Sequence, residues 1–389
     1  MLHRRLRNSA SGLVLAGLVA LVSACSSGPG GGSLRGDAPP PCAPDRITKA
    51  ETLTGIAGTL TPASVLDEAV TALVDSGQLA GLSIAVINAR EVVYSRSAGT
   101  ASFETDTPVT GCTVFEGASI TKPLFGHFVM TFVEEGRLDL DKPLYQYLPH
   151  PDLEPSAESQ AMTARMVLSH QTGLPNWRSD DEERGLGFSF FPGTDFEYSG
   201  EGYQYLALVL QEIAGTDGPG LERLFQERIA RPSGMARTQI IPSAELQARK
   251  AQPYRSGFVP AERWVYDDRF GAAYGVNSDA ADFAAWAAAV LRREGLSEEG
   301  WSTFLTPQDV AVPQAPGTSQ FGEAKIALGF FVYDIPGLGR VYMHDGNNLG
   351  FASIVVIHPE TGWGFVGMTN TNRSGQPLID LALFLNRPS

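Results

Sequence analysis

Along residues 61–76 the apolar positions Val65, Leu66, Ala69, Val70, Leu73 and Val74 recur every three or four residues. That period predicts a helix with one buried face, and Pro62 suits its first turn. The period then changes. Residues 81–88 and 92–99 are short runs rich in β-branched side chains around a turn at Ala89-Arg90, and predict a hairpin. Residues 119–135 return to a helical pattern, which Gly136 and Pro143 punctuate. From about 130 to 270, helical stretches such as 202–213 alternate with loops, and few runs read as strand. Residues 280–293 form a second clean helical pattern. After Ala327 the chain turns strand-like again over 327–334, 339–343, 352–358 and 363–369, broken by Gly, Pro or Asn, and residues 378–385 close as a helix.

Strands therefore sit at both chain ends and helices fill the middle. Neither end supplies enough strands for a covered sheet, so the two ends must share one, with the helical middle as a large insertion beside it. A chain of 389 residues, 43% hydrophobic, is ample for such a core, and neither its 42 glycines nor its 26 prolines argue for disorder. A net charge of −14 without basic clusters excludes nucleic acid and anionic lipid headgroups as natural partners, because phosphate neutralisation needs Lys and Arg.

The N-terminus adds an address. His3, Arg4, Arg5 and Arg7 precede an apolar run over 12–21, too short to span a bilayer and suited to a signal peptide. The run ends in Val22-Ser23-Ala24-Cys25, which resembles a bacterial lipobox with Val22 where the pattern prefers Leu. The expectation is a lipoprotein signal over 1–24, lipid on Cys25 and a Gly/Ser/Pro-rich tether within 25–59. Ordinary cleavage near Ala24, with Cys25 incidental, is the alternative. Residues 60–389 are then the folded domain. The other cysteines, Cys42 and Cys112, are a bridge or two buried thiols. An oxidising compartment allows the bridge, which would close a loop of about 70 residues and contribute on the order of 4 kcal/mol.

Three motifs carry chemistry. Ser119-Ile120-Thr121-Lys122 puts a hydroxyl and an amine one helical turn apart, about 5–6 Å at Cβ. A serine becomes a useful nucleophile when a neighbouring base takes its proton, and a buried lysine can do so. Pro123 fits a helix start, where free N–H groups favour a developing oxyanion. The second motif is Tyr198-Ser199-Gly200, and the third is His344-Asp345-Gly346-Asn347 on a strand-like segment.

Ordered in this way, and joined by the blocks 81–86, 134–141, 168–175 and 364–366, the motifs resemble those of the serine β-lactamase and penicillin-binding-protein-like hydrolases. The resemblance is to the branch that holds class C β-lactamases, D-aminopeptidases and family VIII esterases. It implies an α/β fold with an antiparallel sheet flanked by helices. It implies Ser119 as the acylated nucleophile, Lys122 and Tyr198 sharing the proton transfers with either as the base, and the backbone N–H groups of Ser119 and Asn347 as an oxyanion hole. Gly200, His344 and Gly346 would border the substrate. No metal or organic cofactor is implied.

Two departures bear on substrate. The Tyr motif of the β-lactamase pattern ends in Asn, whose amide contacts the lysine and an acyl-amide; Gly200 offers no such group. The third motif usually begins with Lys, and His344 is mostly neutral at pH 7. Both changes point to a carboxylic ester or small amide as the partner. The other readings are a D,D-carboxypeptidase, D-aminopeptidase or β-lactamase, and a non-catalytic envelope-binding lipoprotein. His170 and His127 read as structural, residues 180–184 as a solvated loop, and Trp177, Tyr203 and Tyr205 as cleft lining or packing. Tyr274 reads as cleft lining.

Overall fold

The structure, a computed structural model, describes Cys42 and residues 44–262, 267–314, 322–372 and 375–387. The export leader and Cys25 lie outside the described residues.

The sheet strands are Arg46–Thr48 (β1), Gly81–Asn88 (β2), Glu91–Ser102 (β3), Ala324–Ile326 (β4), Phe331–Ile335 (β5), Gly339–Asn348 (β6), Phe351–His358 (β7) and Trp363–Thr369 (β8). They run in the order β1-β3-β2-β8-β7-β6-β5-β4, antiparallel at every junction, with the short Thr107–Pro108 also paired to β3. The join between the two chain ends is β2 against β8, with Ala85 opposite Val366 and Ile84 opposite Gly367.

Period-2 alternation divides the core. Leu82, Ile84 and Val86 face one side, where Ala63–Asp75 (α1) contributes Leu66 and Val70. Ala85 and Ile87 face the other, with Thr121–Glu134 (α2), Gly200–Ala214 (α3) and Ala280–Arg292 (α4). Gln376–Phe384 (α5) joins the first side through Leu378 and Leu381. The alanine-rich α4 lies against β2, β3 and β8, because small side chains let its backbone come close to the sheet. Between residues 130 and 270 the chain is mainly helix and loop, as its sequence predicts, with the two-residue strands Tyr254–Arg255 and Val259–Pro260.

Several boundaries differ from expectation. The tether does not reach residue 59: β1 pairs with β3, and Thr52–Thr54 pairs with Leu60–Pro62. Arg46 donates to Asp67 on α1 at 2.8 Å, which docks β1 against that helix. Cys42 and Cys112 are joined in a disulfide with their Cα atoms 4.5 Å apart. The run 327–334 is broken between β4 and β5 by Gly329, whose φ is +107°. Only a residue without Cβ fits there, since a Cβ would lie 2.9 Å from the Lys122 carbonyl oxygen. Finally, α2 starts at Thr121, and Ser119 sits before it in the 3₁₀ turn Ala118–Ile120.

Candidate active site

The turn that carries Ser119 is braced from three elements. Gly117 N–H donates to the Val276 carbonyl at 2.8 Å, and Val276 N–H donates to Thr121 Oγ1 at 3.0 Å. Ser353 on β7 donates its hydroxyl to the Gly117 carbonyl at 2.6 Å. Gly346 on β6 packs directly on the turn, where a Cβ would stand 2.8 Å from Ser119 N. These braces hold Ala118 at a φ of +47°, a left-handed conformation that costs a residue with a Cβ about 1–3 kcal/mol.

Lys122 projects from the first turn of α2 into this enclosure and is 0% exposed. Its Nζ donates to Ser119 Oγ at 3.1 Å and to the Ala273 carbonyl at 2.8 Å. Burial strips the ammonium of water and lowers its pKa to about 7, with Asp345 opposing the shift.

Tyr198 comes from the loop that enters α3. Its hydroxyl stands 3.5 Å from His344 Nε2, and Lys122 Nζ lies 4.6 Å from its ring centroid. Burial pushes this phenol well above its ordinary range, with the Ser119 hydroxyl opposing the shift. Two further rings pack against it. His170 stacks on it at 4.3 Å between centroids, and Phe331 lies parallel at 6.4 Å with an angle of 9°. His170 adopts a φ of +59°, and its Nδ1 accepts the Ser199 N–H at 3.0 Å, so backbone and ring are fixed together.

The strand β6 forms the opposite wall. His344 is buried, and its Nδ1 stands 2.6 Å from the Asp345 carbonyl. If Nδ1 carries the hydrogen and donates it there, the Nε2 lone pair faces the Tyr198 hydroxyl at 3.5 Å. Burial first, and then Lys122, lower the His344 pKa to about 3. Asp345 follows, with burial raising its carboxyl and Lys122 partly offsetting that. Asn347 is exposed, pairs with Ala352 of β7, and directs Nδ2 to Asp345 at 3.5 Å.

Ser119, Lys122, Tyr198, His344 and Gly346 thus converge, with Asn347 one residue on and Gly200 at the start of α3. His127 lies apart: its Nδ1 accepts the Trp286 indole N–H at 3.1 Å in the core. Tyr203 and Tyr205 are buried packing residues whose hydroxyls bond the Leu168 and Leu148 carbonyls. Sequence reasoning missed three features. The Ala273 carbonyl is invisible in sequence because any residue supplies one. Trp177 covers Gly200. Asp345 puts a carboxylate where the Lys-Thr-Gly pattern has a hydroxyl, and that departure was legible in His-Asp-Gly itself. Among the described residues no cluster of three or more His, Cys, Asp or Glu is arranged to hold a metal ion.

Residues 66–385 match the protein family described as Beta-lactamase. Among curated proteins, Protein flp of Staphylococcus aureus (strain N315) is 22% identical over 341 residues, covering 81% of this chain and 64% of its own length. Penicillin-binding protein 4* of Bacillus subtilis (strain 168) is 22% identical over 306 residues, covering 68% and 62%. The chain thus spans less than two thirds of the length of either relative. The fold is shared with an octameric penicillin-binding protein homologue from Pyrococcus abyssi, at a TM-score of 0.70, 21% identity and coverage of 84% and 78%. It is also shared with the D-alanine carboxypeptidase AmpC from Burkholderia cenocepacia, at a TM-score of 0.68, 21% identity and coverage of 83% and 99%. An antiparallel sheet assembled from both chain ends, a Ser-x-x-Lys turn at its junction with the helical region, and a family match across most of the sequence lead to one conclusion: this chain belongs to the beta-lactamase family of penicillin-binding-protein-like serine hydrolases.

Proposed function

We propose that the protein hydrolyses a neutral carboxylic ester or small amide through an acyl-enzyme on Ser119. The observation that carries this reading is the fully buried Lys122 amine, 3.1 Å from Ser119 Oγ and with a pKa near neutrality. A neutral Lys122 keeps one N–H on the Ala273 carbonyl and turns its lone pair to the serine proton. Ser119 Oγ attacks the carbonyl carbon as its proton passes to Lys122, and the Ser119 and Asn347 N–H groups are suited to the oxyanion. Tyr198, kept as a phenol by burial, relays the proton to the leaving oxygen, and the alcohol departs as the C–O bond breaks. A water then adds to the acyl-enzyme by the same route, releasing the acid and restoring the Ser119 hydroxyl.

Charge near the serine favours a neutral substrate. His344 is uncharged and Lys122 is close to losing its proton, so neither offers a fixed positive charge. A substrate carboxylate, as in β-lactams or C-terminal D-alanine, finds no fixed cation at His344 to pair with. The peptidase reading has the names of the penicillin-binding relatives and of the D-alanine carboxypeptidase neighbour in its favour. Fluorophosphonate labelling, followed by a panel of p-nitrophenyl esters, D-amino-acid amides and a chromogenic cephalosporin, separates the readings. Labelling that disappears in Ser119→Ala and fastest turnover of esters are expected. Rapid cephalosporin cleavage without ester turnover sinks the ester reading, and an unlabelled wild type supports the non-catalytic one.

The same proposal places the enzyme outside the cytoplasm with lipid on Cys25. Its support is the basic N-terminal stretch, the apolar run over 12–21 and Val22–Cys25. Cys25→Ser should move the protein from the membrane pellet to the soluble fraction on ultracentrifugation, and a variant that still sediments with membranes contradicts it.

A further inference from the structure

Glu116, three residues before Ser119, is a buried carboxylate with no part in the steps above. Its backbone opens the serine turn. Phe115–Glu116 pairs antiparallel with Asn277–Ser278, and Gly117, next in the chain, is the residue whose N–H and carbonyl are held by Val276 and Ser353. Its side chain meets two donors. Oε1 accepts from Lys250 Nζ at 2.8 Å, and Oε2 accepts from Asn348 Nδ2 at 2.7 Å. Lys250 is brought there by backbone bonds on either side of it: Val114 N–H donates to the Arg249 carbonyl at 3.0 Å, and Ala251 N–H to the Val114 carbonyl at 2.9 Å. The Lys250 and Glu116 side chains are 1% and 4% exposed. Taking both ions out of water cancels most of their attraction, so such a pair is a poor way to gain stability. What it supplies, and apolar side chains would not, is direction.

Asn348 is where that direction ends. Side chains alternate along β6, so His344, Gly346 and Asn348 share the face turned to the serine turn. In order they meet the Tyr198 hydroxyl at 3.5 Å, the turn itself, and Glu116. The His344 contact is long, and Gly346 has no side chain to hold with. The Asn348–Glu116 bond is the short, charge-assisted one of the three. Asn347, between Gly346 and Asn348, carries the second N–H suited to the oxyanion. It is exposed near the end of the β6–β7 ladder, opposite Ala352. One carboxylate thus reaches both oxyanion donors. Three residues of backbone lead to the Ser119 N–H, and one hydrogen bond and one residue lead to the Asn347 N–H.

We propose that Glu116 is a positioning residue for the oxyanion hole: balanced by Lys250, it holds the end of β6 through Asn348 and so fixes the Asn347 N–H relative to the Ser119 N–H. The inference rests on the Ser119 acyl-enzyme reading and deepens it. Two donors stabilise an oxyanion only when both stand about 2.7–3.1 Å from the place it will occupy. A β6 end released from Glu116 keeps its ladder to β7 but no longer its distance to the serine turn. The effect belongs to the transition state, because the ground-state carbonyl carries less charge and sits elsewhere.

The test uses the full chain and p-nitrophenyl acetate. Rates are divided by the number of Ser119 sites titrated to completion with fluorophosphonate, so misfolded protein is not counted. Asn348→Leu cuts the link and leaves the ion pair in place. It should lower kcat and kcat/KM by the same factor, roughly tenfold or more, short of the loss of about 10²–10³ that deleting a donor outright brings. In that variant kcat/KM should still rise with pH through about 7, the value of Lys122. Glu116→Leu combined with Lys250→Met removes both charges together. It should unfold near the wild-type midpoint in urea, as apolar replacement of a buried pair often does, and show the same loss of kcat. Glu116→Gln combined with Lys250→Met keeps an oxygen for Asn348 and should recover most of that loss. A merely structural pair predicts the opposite, with stability falling and kcat per site holding. Unchanged kcat per site in Asn348→Leu overturns the positioning role and leaves the hydrolase reading standing. So does a pH limb that moves in that variant, which places the defect at Lys122, or a glutamine double variant as slow as the leucine one. If the double variants yield no titratable sites, Asn348→Leu alone decides. A wild type that neither labels nor turns over any ester overturns both.

Discussion

A lysine in water holds its proton until about pH 10.4 and could not serve Ser119 at neutrality. Burial strips the Lys122 ammonium of water and brings it down to about 7 against the opposing charge of Asp345. The same burial moves Tyr198 upward and His344 down to about 3, so of these three only Lys122 changes charge across the neutral range. Because the neutral amine is the active form, kcat/KM on a p-nitrophenyl ester should rise with pH through an apparent pKa of about 7 and then level off. His344→Gln should keep that limb. Lys122→Ala should abolish it and lower kcat/KM by about 10²–10⁴. A limb that survives Lys122→Ala would assign the titration to another group. What could be read in advance follows the same logic. Ser119 and Lys122 were legible because their meeting is local, one turn apart. Trp177 against Gly200 was not, because that contact depends on how a loop 23 residues earlier folds back, and no period or motif encodes it.

Elements were legible where one face is apolar, and less so where the chain bends. The α1, α3 and α4 helices and the β2–β3 hairpin fall within a few residues of their predicted bounds, because burial on one side imposes the period. The start of α2 was misplaced by two residues. Ala118 turns left-handed and Ser119–Ile120 follow a tighter turn, held by Gly117, Ser353 and Gly346 from distant segments. β6 extends beyond the 339–343 run through the third motif, as the placement of that motif on the same strand-like segment expects, with Asp345, Gly346 and Asn347 continuing the ladder opposite Ile354, Ser353 and Ala352. That extension is functional in its geometry: it carries His344 and Gly346 along the Ser119 turn in one straight element. The Gly329 break serves the neighbouring strand pair, letting backbone pass against α2 where any side chain would collide.

At the scale of the molecule, the helical region must be locked to a sheet made elsewhere in the chain, and Arg237 is the lock. It is buried, with Nε on Asp279 at 2.6 Å and Nη2 on Asp282 at 2.5 Å. Asp279 also caps α4, accepting the N–H groups of Ala281 and Asp282 at 3.0 Å. From there the bracing reaches the active site: Gln239 bridges Asn277, and Asn277 pairs with Glu116, three residues before Ser119. Two carboxylates share this guanidinium, and burial followed by the Asp279 charge holds the Asp282 carboxyl above its ordinary range. The folded state thus keeps that proton to higher pH than the unfolded chain does, so ionising Asp282 costs stability, and the cost grows as pH rises above the unfolded carboxyl value of 3.8. Removing the cation should expose this cost. Arg237→Ala is expected to lose about 3–5 kcal/mol at pH 8, because two buried carboxylates are left without it, and distinctly less at pH 5. Adding Asp282→Asn to that variant should recover part of the loss at pH 8 and little at pH 5. Urea unfolding at both pH values reads the difference, with fluorophosphonate labelling of Ser119 as the site-level readout, since a released Asn277 no longer braces the Glu116 side of its turn. An Arg237→Ala variant that loses under 1 kcal/mol, or equally at both pH values, would remove Arg237 as the lock and leave apolar packing and the buried Lys250–Glu116 pair to hold the helical region.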